Sequence, residues 1–340
     1  MTTEVRARTI REVRALPQTM RAVVQEGYGS ADVLRIKDVP RPELPDDRVL
    51  IRVRAASVNA LDWHAVHGGA IMRVAGTVMR QKQEPVRGVD VAGTIEAVGK
   101  DVTRFRVGDE VFGSAIATFA EYARAREDRI VAKPADLTFA EAACMGVAGY
   151  TALQGLRDIA HVKAGQRVLV YGAGGGVGTF ATQIAKALGT HVTAVTGARN
   201  IELVRSLGPD AVLEHGRDDV TRRAERYDVV FDVAAVRSLG DLRRVLAPGG
   251  ILVLVGADKR GGIAIFTRII SALIRSRVFR QRIAFFVAKN DLGDLLKLKE
   301  LVEEGKLRPA IDRTFPLDQA AEAVRYLGSG QARGKVVITM

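Results

Sequence analysis

A run of β-branched and aliphatic residues, Val168-Leu-Val-Tyr, stops at Gly172 and gives way to Ala173-Gly-Gly-Gly-Val-Gly-Thr-Phe180, which resumes as a helix. A strand that turns this tightly needs residues without a Cβ. The helix that follows presents unpaired N–H groups and the positive end of its dipole to an anion. The stretch therefore reads as a phosphate-binding turn. Its glycines miss the strict dinucleotide spacing, because Val177 stands where a third glycine should follow Gly172 and Gly174. A relaxed form fits instead, Ala173-x-Gly175-x-x-Gly178, with Gly176 and Val177 completing the loop. In it Gly175 lets the backbone approach a pyrophosphate and Gly178 lets helix and strand pack closely. A glycine-rich loop alone also suits an ordinary turn, so its neighbours must decide.

Around the loop, strands and helices alternate. Strands are expected near 167–172, 191–196, 210–213, 228–232 and 251–255, with helices such as Phe180 to Leu188 and Ile201 to Leu207 between them. That order implies right-handed βαβ crossovers and a parallel sheet covered on both faces, a Rossmann domain. The first third has a different texture. Short alternating runs at Arg21–Gln25, Val33–Ile36 and Val49–Ala55, broken by Pro40, Pro42 and Pro45, predict antiparallel β structure that continues to about Val131. A short helix is expected over Ala60–His67. The tail reads as helix (Asp291 to Glu304), strand, helix (Leu317 to Leu327) and a last strand, Lys335-Val-Val-Ile-Thr, which needs a sheet to join and suits a return to the first domain.

The fold class is thus α/β, with length for about two domains. We place a flexible leader at 1–19, a β-rich catalytic domain at 20–140 and 291–340, and a nucleotide-binding domain at 141–290. In the leader Arg6, Arg8, Arg11 and Arg14 suggest a targeting segment, while Glu4 and Glu12 argue against one. Segment 263–287 is apolar and basic, with Arg268, Arg275 and Arg282 recurring every seven residues; contact with a membrane surface and cover for a cleft both fit it. No apolar run is long enough to span a membrane. The single cysteine, Cys144, excludes an intramolecular disulfide framework and fits a reducing, cytoplasmic setting. The net charge of +12 favours anionic partners, from a phosphorylated cofactor to nucleic acid, and equally suits a solvated basic surface.

The second strand speaks to the cofactor. An acidic residue about 20 positions beyond the loop would bind a ribose 2′-hydroxyl, whereas its absence beside an arginine suits a 2′-phosphate. Here the strand ends Ala194-Val-Thr-Gly-Ala-Arg-Asn200, without a carboxylate, and Thr196, Arg199 and Asn200 can all hydrogen-bond a phosphate. NADPH is expected over NADH, although Arg199 also suits a solvated position at the start of the next helix.

Asn59-Ala-Leu-Asp-Trp-His-Ala-Val-His-Gly68, Gly88-Val-Asp-Val-Ala-Gly-Thr-Ile-Glu-Ala-Val-Gly99, Gly108-Asp-Glu-Val-Phe-Gly113, Gly149-Tyr-Thr-Ala-Leu-Gln154, the glycine loop and Arg333-Gly-Lys-Val-Val-Ile338 occur in this order over roughly 20–340. Together they resemble the medium-chain dehydrogenase/reductase superfamily, in its zinc-independent quinone-oxidoreductase branch. The resemblance implies a GroES-like β domain, a Rossmann domain, a cleft between them and a homodimer.

Zinc-dependent members use Cys, His and Cys at positions that match Asn59, Val89 and Cys144, and carry a further four-cysteine lobe that is absent here. An amide and an isopropyl group cannot replace a thiolate and an imidazole, so no metal site is expected. Without a Lewis acid, reduction of a quinone or an activated C=C bond is the favoured direction.

By resemblance, Asn59 is the cleft amide that orients nicotinamide or substrate, with a turn-forming Asn as the plain alternative. His64 falls where relatives place a tyrosine or lysine facing the cleft, and its imidazole suits donation of the proton that follows hydride; a surface histidine suits the position as well. The resemblance also places Thr151 near the nicotinamide ribose, His215 near adenine and Lys335 near the phosphates, and each of the three also suits a structural role.

The expected activity is hydride transfer from NADPH to an apolar quinone or α,β-unsaturated carbonyl compound. A zinc-independent alcohol dehydrogenase or aldehyde reductase is the enzymatic alternative. An NADPH-responsive nucleic-acid-binding protein without turnover is the other, but no RNA-recognition motif supports it and aromatic residues make up only 5% of the chain, so no nucleic-acid partner is expected.

Overall fold

The computed structural model describes residues 17–68, 86–255 and 281–340. The leader at 1–19 and the basic segment at 263–287 fall outside them except for 17–19 and 281–287.

The chain opens with β1 (Thr19–Gln25) and β2 (Leu34–Pro40), an antiparallel pair. Next come β3 (Arg48–Val58), helix α1 (Ala60–His67), β4 (Asp90–Val98), β5 (Glu110–Ser114), β6 (Tyr122–Arg126) and β7 (Ile130–Ala132). In the middle of β3 the side chains alternate between core and water, with Arg52 and Arg54 outside and Val53 and Ala55 buried, the mark of a half-covered antiparallel sheet. Helices α2 (Phe139–Ala143) and α3 (Val147–Gln154) follow, the first started by a capping box in which Thr138 and Glu141 satisfy each other's backbone N–H.

The second half alternates: β8 (Arg167–Tyr171), α4 (Gly176–Ala187), β9 (His191–Thr196), α5 (Ile201–Ser206), β10 (Ala211–Glu214), β11 (Tyr227–Asp232), α6 (Leu239–Arg244), β12 (Leu246–Leu254) and β13 (Arg282–Phe285). These strands form one six-stranded sheet, ordered β10-β9-β8-β11-β12-β13, and every pairing is parallel. Val168, Leu169 and Val170 are all fully buried, because helices cover both faces of the sheet. On α4, Phe180, Ala181, Ile184 and Ala185 form the buried stripe. This is the doubly wound order, in which ligands bind beyond the carboxyl ends of the strands where the order reverses, here between β8 and β11.

The chain ends with α7 (Leu292–Glu303), β14 (Ile311–Pro316), α8 (Ala320–Gly328) and β15 (Lys335–Thr339). β15 crosses back and pairs antiparallel with β3, so the sheet runs β14-β15-β3-β4-β5-β7 with β6 also on β3. The architecture is α/β, a GroES-like β domain and a Rossmann domain. One hydrophobic core runs through both, joining Ala55, Ala92 and Phe112 of the β sheet to Val168, Phe180 and Phe231 of the parallel sheet through α3 and α7. Each buried phenylalanine contributes roughly 2 kcal/mol through area removed from water. The junction beneath the cleft is therefore solid, and the cleft opens above it.

Candidate cofactor and substrate cleft

A cleft of about 740 Å³ lies between the two domains. Its Rossmann wall is the carboxyl edge of the parallel sheet: Tyr171 and Gly172 after β8, Gly174 to Val177 at the start of α4, Val195 and Thr196 of β9, Asn200, His215 after β10, and Val233 to Val236 after β11. Its other wall comes from α1, through Ala60, Trp63 and His64, and from the chain between α8 and β15, through Leu327, Gly328, Gly330, Ala332 and Gly334.

The loop shows why small residues are required. Gly172 has φ +94°, a left-handed conformation that glycine adopts without strain. A Cβ at Gly178 would collide with the Gly172 carbonyl, so this glycine is what lets α4 sit close on β8. A Cβ at Gly174 would run into the side chains of Asn200 and Thr196. A Cβ at Gly175 would meet only the Gly172 carbonyl oxygen, 3.6 Å away, so the steric demand falls on Gly172, Gly174 and Gly178. No side chain caps α4, whose first N–H groups belong to Gly176, Val177 and Gly178. They offer anion-binding donors backed by the helix dipole.

Asn200 Oδ1 is buried beside this loop and accepts no hydrogen bond among the described residues. An orphaned acceptor in a cleft costs about 1–3 kcal/mol unless a ligand supplies the donor. With the missing Cβ atoms of the loop and the apolar Val195, Ala235 and Val236, it makes a wall that fits a dinucleotide.

His64, Gly175, Gly176, Val177, Thr196, Asn200 and His215 line the cleft; Asn59, Thr151, Ala173, Gly178, Arg199 and Lys335 do not. Ala173 and Gly178 are buried in the loop's own packing and Thr151 is half-buried on α3. Arg199 is exposed, and its Nη2 donates to the Gln331 carbonyl at 3.0 Å across the mouth of the cleft, where the sequence suggested a phosphate contact.

Asn59 turns its amide inward. Its Nδ2 donates to Asp90 Oδ2 at 2.9 Å and to the Ser57 carbonyl at 3.3 Å, and its Oδ1 accepts from Lys335 Nζ at 2.6 Å. The amide is thereby saturated from within the protein. Asp90 also accepts from Ser57 Oγ at 2.7 Å and from the Val147 N–H at 2.8 Å, and lies 3.7 Å from Lys335 Nζ. Asp62 joins this knot by accepting from the Asn59 N–H at 2.8 Å, which fixes the entry to α1. Burial lifts its carboxyl to about 7, with the neighbouring Asp90 adding to the rise and the Asn59 N–H and Lys335 opposing it. Ser57 and Asp90 escaped the sequence reading, although Asp90 sits in the Gly-Val-Asp-Val-Ala-Gly run that carried the resemblance.

Lys335 is buried against the loop, and a Cβ at Gly176 would lie 3.1 Å from its Cδ. Next to it the Gly334 N–H donates to the Gly174 carbonyl at 2.8 Å, tying β15 to the glycine loop. Cys144 Sγ donates to the Ala140 carbonyl at 3.2 Å, and burial pushes its thiol up to about 12, so it is not a ready thiolate. Among the described residues no group of three or more His, Cys, Asp or Glu is placed to hold a metal, and no helix is long and apolar enough to cross a membrane.

Trp63 went unnoticed in the sequence. It forms part of the α1 wall, stacked on His67 with ring centroids 4.0 Å apart, and Gly328 admits its indole nitrogen because a Cβ there would collide with it. His64 packs against its edge at 5.0 Å.

The alcohol dehydrogenase GroES-like domain family matches residues 45–153, and the zinc-binding dehydrogenase family matches 207–338. A quinone-oxidoreductase homolog of Spinacia oleracea chloroplasts is 32% identical over 94% of this chain and 98% of its own length. An NADPH-dependent alkenal/one oxidoreductase of Arabidopsis thaliana chloroplasts is also 32% identical, over 95% of this chain and 80% of its own. The solved quinone oxidoreductase of Coxiella burnetii superposes with a TM-score of 0.81 at 30% identity, covering 95% of this chain and 99% of that one. The chain is therefore an oxidoreductase that belongs to the medium-chain dehydrogenase/reductase superfamily, in its quinone-oxidoreductase-like branch.

Proposed function

We propose that the protein is an NADPH-dependent, zinc-independent reductase of quinones or α,β-unsaturated carbonyl compounds. The observation that carries this reading is the cleft itself: a phosphate-ready loop on one wall faces an apolar aromatic wall bearing a single imidazole on the other. A reduced nicotinamide, when bound, supplies the hydride.

The protein's own residues do the rest. The N–H groups opening α4 bind the pyrophosphate. Thr196, Asn200 and Arg199 hold the ribose end, with Arg199 offering the 2′-phosphate those guanidinium donors that do not reach Gln331. Trp63 gives a flat substrate a fixed surface, and His64 delivers a proton to the reduced acceptor. Lys335, paired with Asp90, packs beneath the loop and supports it from below. Asn59 acts at one remove, by holding Lys335 in place. Thr151 supports α3 below the nicotinamide end.

The donor set at the three positions that match the zinc ligands supports metal-free chemistry. Asn59 spends its amide on Lys335, Asp90 and Ser57, Val89 has no donor in its side chain, and the lone Cys144 thiol is turned to the Ala140 carbonyl. We read the protein as cytoplasmic and homodimeric; exposed Phe285 and Val287 at the end of β13, the outermost strand of the Rossmann sheet among the described residues, support a dimer through that sheet, which size-exclusion chromatography checks.

The test is NADPH and NADH oxidation against a panel of quinones, enones and aldehydes, with metal analysis of the same sample. We expect turnover with quinones or enones and a preference for NADPH that drops about tenfold in Arg199→Ala, the loss of one charge-assisted contact. Stoichiometric bound zinc, or an equal response to both nucleotides, overturns the reading.

A further inference from the structure

Three side chains beyond the glycine loop form a directed chain. Arg237 Nε donates to the Tyr171 hydroxyl at 3.1 Å, and that hydroxyl lies 2.7 Å from His215 Nδ1. A guanidinium can only donate, so the tyrosine oxygen accepts from it. Among the described residues Nδ1 is the side-chain acceptor within the hydroxyl's reach, and a hydroxyl directed there pairs both groups. A neutral His215 then carries its own proton on Nε2. Asp219 anchors the far end, 3.4 Å from Arg237 Nη2, and the His215 N–H donates to the Thr196 carbonyl at 2.6 Å, which pins the imidazole's backbone. Burial raises the Tyr171 phenol, so its proton stays in place.

Tyr171 and His215 both line the cleft, at the carboxyl ends of β8 and β10. The ends of the strands after the loop receive the adenosine half of a dinucleotide. We infer that Tyr171 and Arg237 are positioning residues that hold His215 as an Nε2–H donor to the adenosine half of the cofactor. The inference rests on the dinucleotide reading of the cleft given above. It assigns Arg237, which does not line the cleft, to cofactor recognition.

The test compares two probes, NADPH and reduced nicotinamide mononucleotide, which lacks the adenosine half, by fluorescence titration of the wild type and of Tyr171→Phe and Arg237→Met. The ratio of the two affinities should fall about tenfold in Tyr171→Phe, the loss of one oriented hydrogen bond. It should fall less in Arg237→Met, where the hydroxyl remains. A general structural defect would weaken both probes and leave the ratio intact. ¹⁵N NMR of the wild-type imidazoles should show an Nε2–H tautomer for His215 that becomes a mixture in Tyr171→Phe. The same drop with NADH places the acceptor on the purine or ribose, and a drop confined to NADPH places it on the 2′-phosphate. An unchanged ratio, or an Nδ1–H tautomer in the wild type, overturns the inference alone. A wild type that binds neither probe overturns the function proposed above and this inference with it.

Discussion

The glycine loop and the polar knot beneath it lie side by side at the domain junction and are built on opposite principles. The loop works by omission. Gly172, Gly174 and Gly178 leave space, and Asn200 Oδ1 is left without a donor. In the knot of Ser57, Asn59, Asp62, Asp90 and Lys335, by contrast, the Asn59 amide and both Asp90 oxygens are already engaged within the protein. A site meant for a ligand keeps groups unmatched, and a site meant to hold a shape does not. Damage to the knot should therefore be read in stability, and damage to the loop in binding.

The sharpest break of that contrast is at Asp90. Asp90→Asn leaves buried Lys335 without its counter-charge and should cost about 3–5 kcal/mol in urea unfolding. Lys335→Met should cost a similar amount, and the double variant Asp90→Asn/Lys335→Met should cost less than the sum of the single changes. Additive losses would mean that the two charges do not act as a unit.

Asp62 gives the next largest effect, through pH. Its folded carboxyl titrates near 7 against a usual value of 3.8, so the folded chain keeps a proton that the unfolded chain has released. The stability this group contributes is full below about pH 4 and is lost as pH rises through 7. Unfolding free energy should fall by roughly 2 kcal/mol between pH 5 and 8, and Asp62→Asn should flatten the slope. A variant with the wild-type slope would assign the titration to another group.

For the loop the order reverses. Gly174→Ala pushes against the Thr196 hydroxyl and against Asn200 as far back as its Cβ, 2.7 Å away, so the loop itself must give. We expect a stability loss near 1 kcal/mol beside a roughly tenfold weaker NADPH affinity by fluorescence titration. Smallest of all, Arg199→Ala should change stability by less than about 0.5 kcal/mol, because the side chain is exposed, while altering cofactor preference. If Arg199→Ala instead lowers the melting temperature strongly, its bond to Gln331 is structural and the 2′-phosphate role fails.

The sequence made the loop visible and hid the knot, for a physical reason. Strand and helix periods are local, so five of the six parallel strands and the closeness of α4 to β8 follow from patterns within a few residues, whereas β13 lies at the end of the stretch read as an amphipathic basic segment and was not foreseen. Turn chemistry is local too, which is why Gly178 could be read in advance. The direction of the Asn59 amide depends on Lys335, 276 positions away, and on a strand pairing that brings β15 to β3. Arg199 meets Gln331 at a separation of 132, and no local pattern predicts that contact. No local pattern marks Trp63, because Gly328, which makes room for it, belongs to α8. The residue types were legible; the partner that fixed each orientation was not.

The bond from the Gly334 N–H to the Gly174 carbonyl bears on how the protein is made. Domains form as the chain emerges from the ribosome, amino-terminal parts first. The six-stranded sheet is complete at β13, well before synthesis ends. Its glycine loop, however, must wait for Gly334 to be latched and for Lys335 to be packed from below, and β3 gains β15 as a neighbour only then. The latch on the glycine loop is thus made only after every strand of the sheet that carries the loop has been synthesised.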